Sequence, residues 1–207
     1  MISDRPAVQV RDPFVASLVE QLDAVLLDAE ALTDSLNREQ INWQPGPGRW
    51  SIAQCLDHLT RTVLLYPAEI ERMLGESRAR SGAGERPYRE GWLSRRIVAG
   101  LEPPPRMRVR TIRPVDPPEL HDGQAVVREF NAAHRRLREL IVAADGVSLR
   151  HARMRSPFLR LVRFTLGQVL AMILAHARRH LWQARQVRQH AAFPQSSSPV
   201  PTAQHLH

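Results

Sequence analysis

The chain has 207 residues, 43% of them apolar and 24% charged, the balance of an ordinary globular protein with room for one domain and a proper core. Its net charge of +8 comes from 29 basic residues, all of them arginine. They are spread along the chain instead of gathered into a patch with interleaved aromatics, so the charge does not by itself point to specific nucleic-acid binding. A single cysteine, Cys55, excludes an intramolecular disulfide framework.

Met1 to Arg11 forms a polar lead with no apolar core of signal-peptide length, so a cytoplasmic location is expected. Asp12-Pro13 then reads as a helix start, an acidic N-cap followed by proline at the first helical position. The helix is expected to reach about Leu36, with Phe14, Leu18, Leu22, Val25, Leu26, Ala29 and Leu32 on its apolar stripe. The turn Gln44-Pro45-Gly46-Pro47-Gly48 follows.

Ser51 with Gln54 three residues later forms a capping box that opens the second helix. Ile52, Leu56, Leu59, Val63, Tyr66 and Ile70 make its buried stripe, Trp50 is placed to staple onto Cys55, Pro67 is a bend point, and Gly75 marks the expected end. Residues 76–120 read as irregular, with a short helix around Trp92–Ala99 and proline clusters at 103–105 and 117–118. That is longer than a hairpin between neighbouring helices requires and fits a crossover connection.

The third helix covers about Gln124 to Ala144, with Val126, Val127, Phe130, Ala133, Leu137 and Ile141 inward and Gly146 as its cap. Residues 147–164 read as irregular. Thr165 with Gln168 makes a second capping box, and the fourth helix runs to about His190. Its longest apolar run, Val169 to Ala175, is too short to span a bilayer. The Ser/Pro-rich segment 191–207 is expected to be a disordered tail, leaving 12–190 as the domain.

Steps of three and four along the fourth helix place Leu166, Val169, Ile173, His176, His180, Gln183 and Val187 inward. Two histidines at i and i+4 on one helical face can converge on one ion. Each could equally be a core histidine bonded to a neighbouring side chain, and this helix alone does not decide between the two. A third ligand must come from another helix. His58 lies one residue off the second helix's stripe, where it could point inward, and Cys55, one turn before it, reads as a buried hydrophobe before it reads as a fourth ligand.

The other histidines carry less signal. His134, in the run His134-Arg135-Arg136, is expected at the surface, His121 and His151 in connections, and His190, His205 and His207 in the fraying end and tail. Arg178, Arg179, Arg185 and Arg188 fall mostly off the histidine stripe and read as a solvated face. Trp182-Gln183 beside the histidines either lines a pocket or packs.

The segment Gly48-Arg49-Trp50-Ser51-Ile52-Ala53-Gln54-Cys55-Leu56-Asp57-His58-Leu59 resembles the second-helix signature of the DinB/YfiT-like superfamily. His176-Ala177-Arg178-Arg179-His180-Leu181-Trp182-Gln183 resembles its last helix, Phe130 to Leu137 its third, and Ser156-Pro157 the connection before the last. The resemblance covers about residues 12–190. It implies an all-α four-helix bundle with a metal-binding triad carried onto His58, His176 and His180.

Three neutral imidazoles suit Zn, Ni, Fe or Cu and leave positions open for water and substrate. The expected cofactor is one divalent ion, Zn, Ni, Fe or Mn. Characterised members of the family look like metal-dependent S-transferases that use bacillithiol, mycothiol or glutathione, and others like mycothiol-dependent isomerases. The resemblance therefore implies a small thiol and a small electrophile as partners, with no specific nucleic acid and no membrane; a homodimer is compatible with it. Hydrolysis by metal-activated water and a non-enzymatic metal- or ligand-binding bundle are the alternatives. Asp57 and Glu69 are the carboxylates near enough in sequence to assist proton transfer.

Overall fold

The computed structural model describes residues 10–80, 88–104, 115–155 and 162–195. Helix α1 spans Pro13–Thr33, and the Asp12 carboxylate caps it by accepting from the backbone N–H groups of Phe14 and Val15. The helix ends at Thr33, three residues short of the expected Leu36, because Ser35 adopts a positive φ of 59° that no helix continues. A five-residue helix α2, Arg38–Asn42, follows. It is opened by a capping box of Asn37 and Gln40, which is not among the boxes expected from sequence.

Helix α3, Ile52–Leu64, opens on the expected Ser51/Gln54 box. The chain breaks at Leu65-Tyr66, and Pro67 begins a separate helix α4, Pro67–Arg80, so the proline divides the segment instead of merely bending it. Gly75 does not end this helix. Buried Ile70, Met73 and Leu74 hold the turn that contains it, and Arg72 pairs with Glu69 and Glu76 across it. These contacts outweigh a glycine penalty of about 1 kcal/mol.

Helix α5, Trp92–Leu101, is the short helix expected in the crossover, and α6 is Gly123–Val142, capped by Asp122. The backbone of Gly146 does take a positive φ of 76°, but in the turn beyond the helix end and not as its cap. The segment expected to be irregular before the last helix holds a small antiparallel hairpin. Its strands β1 (Arg153–Arg155) and β2 (Arg163–Thr165) pair with Met154 opposite Phe164, both buried, which anchors them to the core. The resemblance at Ser156-Pro157 lies outside the described residues. Helix α7, Leu166–Arg188, begins at the expected Thr165/Gln168 box.

Helices α1, α3, α6 and α7 form the bundle: α1 and α3 each pack on both α6 and α7. Cross-helix contacts fix their directions. Arg178 to Gln21, Arg185 to Asp28 and Arg188 to the carbonyl oxygens of Ala31 and Leu32 run α1 parallel to α7. These arginines, read from sequence as a solvated face, therefore tie two helices together. Arg138 to Asp23, together with the Asp12 backbone N–H to Asp145, runs α6 antiparallel to α1. Gln54 to the Pro118 carbonyl and Asn42 to the His121 backbone set the start of α3 beside the start of α6, so these two are parallel. The order is up, down, down, up. Two successive helices pointing the same way require the chain to travel back along the bundle, which is the work of the crossover carrying α5.

Beyond α7 the described chain continues to Gln195. Phe193 packs against the Trp43 ring edge at 5.6 Å, and the Gln40 side chain donates to the Pro194 carbonyl at 2.9 Å. Among the described residues no helix is long and apolar enough to cross a membrane.

At the other end of α7, Gly167 lies directly under Tyr88. A Cβ there would stand 2.5 Å from the ring, which itself packs on Phe14 at 4.7 Å. Gly167→Ala is therefore expected to lower stability by about 1–3 kcal/mol in urea unfolding, despite alanine's better helix propensity. In a Tyr88→Ala background the same change should cost nothing; an equal loss in both backgrounds would refute the clash.

Candidate metal centre

The buried face of α3 and the inward face of α7 meet halfway along the bundle and bring His58, His176 and His180 together. His58 is buried, 5% exposed, while His176 and His180 are of intermediate burial on successive turns of α7. The ring centroids lie 5.1 Å apart for His58 and His176, 4.5 Å for His58 and His180, and 4.6 Å for His176 and His180. One ring nitrogen from each lies within 4.8 Å of the others. Among the described residues this is the one group of His, Cys, Asp or Glu side chains with metal-ligand spacing.

Hydrogen bonds fix which nitrogens converge. His58 Nδ1 stands 2.7 Å from the carbonyl oxygen of Val115, which can only accept, so Nδ1 carries the hydrogen and Nε2 keeps its lone pair. His180 Nδ1 faces Gln183 Oε1 at 3.1 Å and is set the same way. His58 Nε2 and His176 Nε2 are 3.3 Å apart. Two nitrogens each about 2.0–2.1 Å from a tetrahedral zinc ion stand roughly 3.3–3.4 Å apart, so the spacing of this pair fits a shared cation.

The electrostatics agree with ligand chemistry. Burial pulls the His58 pKa down, only partly offset by its bond to Val115 and by the charges of Asp116 and Asp57. Burial, then the neighbouring His58 and Arg179, pushes His176 down to about 3. His180 is pushed down to about 2, by burial first and then by His176, His58 and Arg179. All three are therefore neutral near pH 7, the form in which imidazole binds a metal. Trp50 tilts over this cluster, its ring 4.8 Å from His58 and 5.6 Å from His180, and so walls the site.

Cys55 does not belong to the cluster. It is fully buried in the apolar core, where burial raises its thiol pKa far above the ordinary range, and it is not among the side chains that converge. Of the two carboxylates near the site in sequence, Asp57 is held by Arg61 at 2.6 Å, and Glu69 sits in the surface ion network with Arg72 and Glu76.

His134 corrects the sequence reading. It is not at the surface but fully buried, its Nδ1 donating to the Phe130 carbonyl at 2.8 Å and its ring stacked on Phe130 at 3.9 Å. Its spacing from Phe130, Leu137 and Ile141 is the inward stripe of α6, a signal masked by the two arginines that follow it. His190 packs on Trp43, while His205 and His207 lie outside the described residues.

Two contributors escaped sequence reasoning. The Val115 carbonyl is backbone, so residue identity carries no trace of it. Gln183 falls on the inward stripe of α7 and reads from sequence as lining a pocket or packing, but nothing in its spacing says that it accepts from His180. A hollow between α1 and α7, lined by Asp28, Arg185, Arg188 and Gln189 among others, includes none of the three histidines.

The bundle order and the three convergent histidines define a helical bundle with a cluster that could hold a metal ion. Residues 21–184 match the family model of the DinB superfamily, and the chain belongs to that family. Its fold is similar to that of YfiT from Bacillus subtilis, described as a probable metal-dependent hydrolase with an unusual four-helix bundle topology. That likeness has a TM-score of 0.55 and 15% sequence identity over 89% of this chain and 91% of the other. No curated protein matches the chain.

Proposed function

We propose that His58, His176 and His180 hold one divalent ion, and that the protein is a metal-dependent transferase joining a low-molecular-weight thiol to a small electrophile. The observation that carries this reading is the convergence of three neutral nitrogen donors with no fourth protein ligand among the described residues, the pattern of a centre that keeps a coordination position for an incoming molecule. When bound, a divalent ion supplies Lewis acidity, lowering the pKa of a thiol or water molecule that reaches it.

A free thiol with a pKa near 8.5 needs only a modest push to become a thiolate at neutral pH, whereas water must be acidified by roughly nine units. The demand for a protein base is accordingly small, which suits a site whose nearest nominated carboxylate, Asp57, is committed to Arg61. In the transfer the sulfur forms a bond to the electrophilic carbon, the leaving group departs with its electron pair, and the thiol proton passes to solvent. Trp50 covers one side of the cluster and limits the access of water.

Hydrolysis is the second reading, and it is favoured by the fold shared with a protein described as a probable metal-dependent hydrolase. The test is a screen of metal-loaded and metal-stripped protein with glutathione, mycothiol and bacillithiol against a chromogenic electrophile, alongside ester substrates without thiol. Thiol conjugation that disappears on chelation is expected. Chelation-sensitive ester cleavage with no thiol response would move the assignment to the hydrolase. Neither activity in protein that carries its ion would leave a binding bundle and overturn both enzymatic readings.

A further inference from the structure

We infer that Gln183 is a positioning residue for the metal centre, a neutral second-layer acceptor that locks His180 in the tautomer whose Nε2 faces the cluster. This rests on the reading of the three histidines as ligands. A neutral imidazole has two tautomers of similar energy, and only the one protonated on Nδ1 presents an Nε2 lone pair. Gln183 lies one turn after His180 on the same helix, and its Oε1 accepts from His180 Nδ1 at 3.1 Å. Rotating the amide so that its nitrogen faced Nδ1 would place a donor there and drive the hydrogen onto Nε2. The ligand role of His180 and the orientation of this amide are thus one geometric statement.

His58 receives the same treatment from a different part of the chain, since the Val115 carbonyl accepts from its Nδ1 at 2.7 Å. Both acceptors are uncharged oxygens. A carboxylate in either place would pull on the Nδ1 proton, make the imidazole a stronger donor and bind a cation more tightly while reducing its Lewis acidity. A glutamine orients the ring and leaves the acidity of the ion undiminished, which is what the activation of a nucleophile requires.

Two variants separate orientation from packing: Gln183→Leu keeps the bulk and removes the acceptor, while Gln183→Glu restores an acceptor with added charge. Zn(II) affinity is measured by competition with a chromogenic chelator, and the His180 tautomer is read in the metal-free protein at neutral pH from its imidazole nitrogen chemical shifts. Gln183→Leu should weaken Zn(II) binding by roughly 10- to 100-fold and mix the His180 tautomers. Gln183→Glu should recover at least the original affinity and the single Nδ1–H tautomer. A residue that merely packs would leave the tautomer unchanged in both variants.

Gln183→Leu binding Zn(II) within twofold of the unchanged protein, or an Nε2–H tautomer in the unchanged protein, would overturn the role of Gln183 while leaving the metal centre standing. If the unchanged protein bound no Zn(II) at all, the metal reading would fall, and the role of Gln183 would fall with it.

Discussion

Protein purified without an affinity tag is expected to carry close to one divalent ion per chain, and His176→Ala or His180→Ala protein to emerge essentially metal-free. Each substitution removes one of three nitrogen donors from a cluster whose ligand atoms lie within 4.8 Å of one another, and two imidazoles leave too few bonds to retain a cation through purification. The stability of the unchanged protein should follow its ion, because a ligand that binds only the folded state stabilises it by about 2.7 kcal/mol at a free concentration one hundred times its Kd. A chelator should therefore lower the melting temperature of the unchanged chain and leave that of either variant where it was. Elemental analysis decides the matter: stoichiometric metal in the variant with all three histidines replaced by alanine would sink the site.

A second large effect is expected from acid, through His134. Burial pushes this imidazole down to about 4 from an ordinary value of 6.5, with its bond to the Phe130 carbonyl opposing the shift only in part. A histidine whose folded-state pKa lies below its unfolded value is protonated more readily by the unfolded chain. Its contribution to stability is complete above pH 6.5 and is lost as the pH falls towards 4, to the extent of about 3 kcal/mol. His134→Leu should flatten the fall in unfolding free energy between pH 7 and pH 4 by that amount. The three histidines of the cluster titrate in both proteins, so the difference between the two pH curves isolates His134. Parallel curves would show that it does not titrate as a buried neutral group.

The histidine pair on α7 was legible from period alone, because residues four apart share a face whatever surrounds them. His58 was not, since it stood off the stripe drawn through Ile52, Leu56 and Leu59. The structure explains this. Every residue of α3 from Ile52 to Thr60 is buried, because the helix is enclosed by α2, α6, α7 and the returning crossover, and a helix buried all round has no narrow stripe to read.

Two of the three capping boxes stand out in the sequence because a long apolar stripe follows each, whereas the third, Asn37/Gln40, opens a helix of five residues that is too short to show a stripe. Arg135 and Arg136 disguised His134 by making a core position look wet. At Gly75 a local rule of propensity lost to burial on either side. The hairpin at Arg153–Arg155 and Arg163–Thr165 is too short, at three residues a strand, to leave an alternating pattern. The resemblance to the DinB/YfiT-like family supplied what periodicity could not, namely which third histidine completes the set.

The parts that meet at this centre arrive from distant stretches of polypeptide, and that sets when during biosynthesis it can exist. His58 and His176 are separated by 118 positions, and the carbonyl that orients His58 comes 57 positions after it. A growing chain released only as far as α6 has one ligand and neither of its partners. If the three histidines hold an ion as proposed, its capture follows the synthesis of α7, unlike a zinc finger, in which the metal organises a peptide that is unfolded without it. On that reading the leucines, valines and isoleucines of the core bring the ligands together, and an ion held by all three would mark chains in which α7 has joined the bundle.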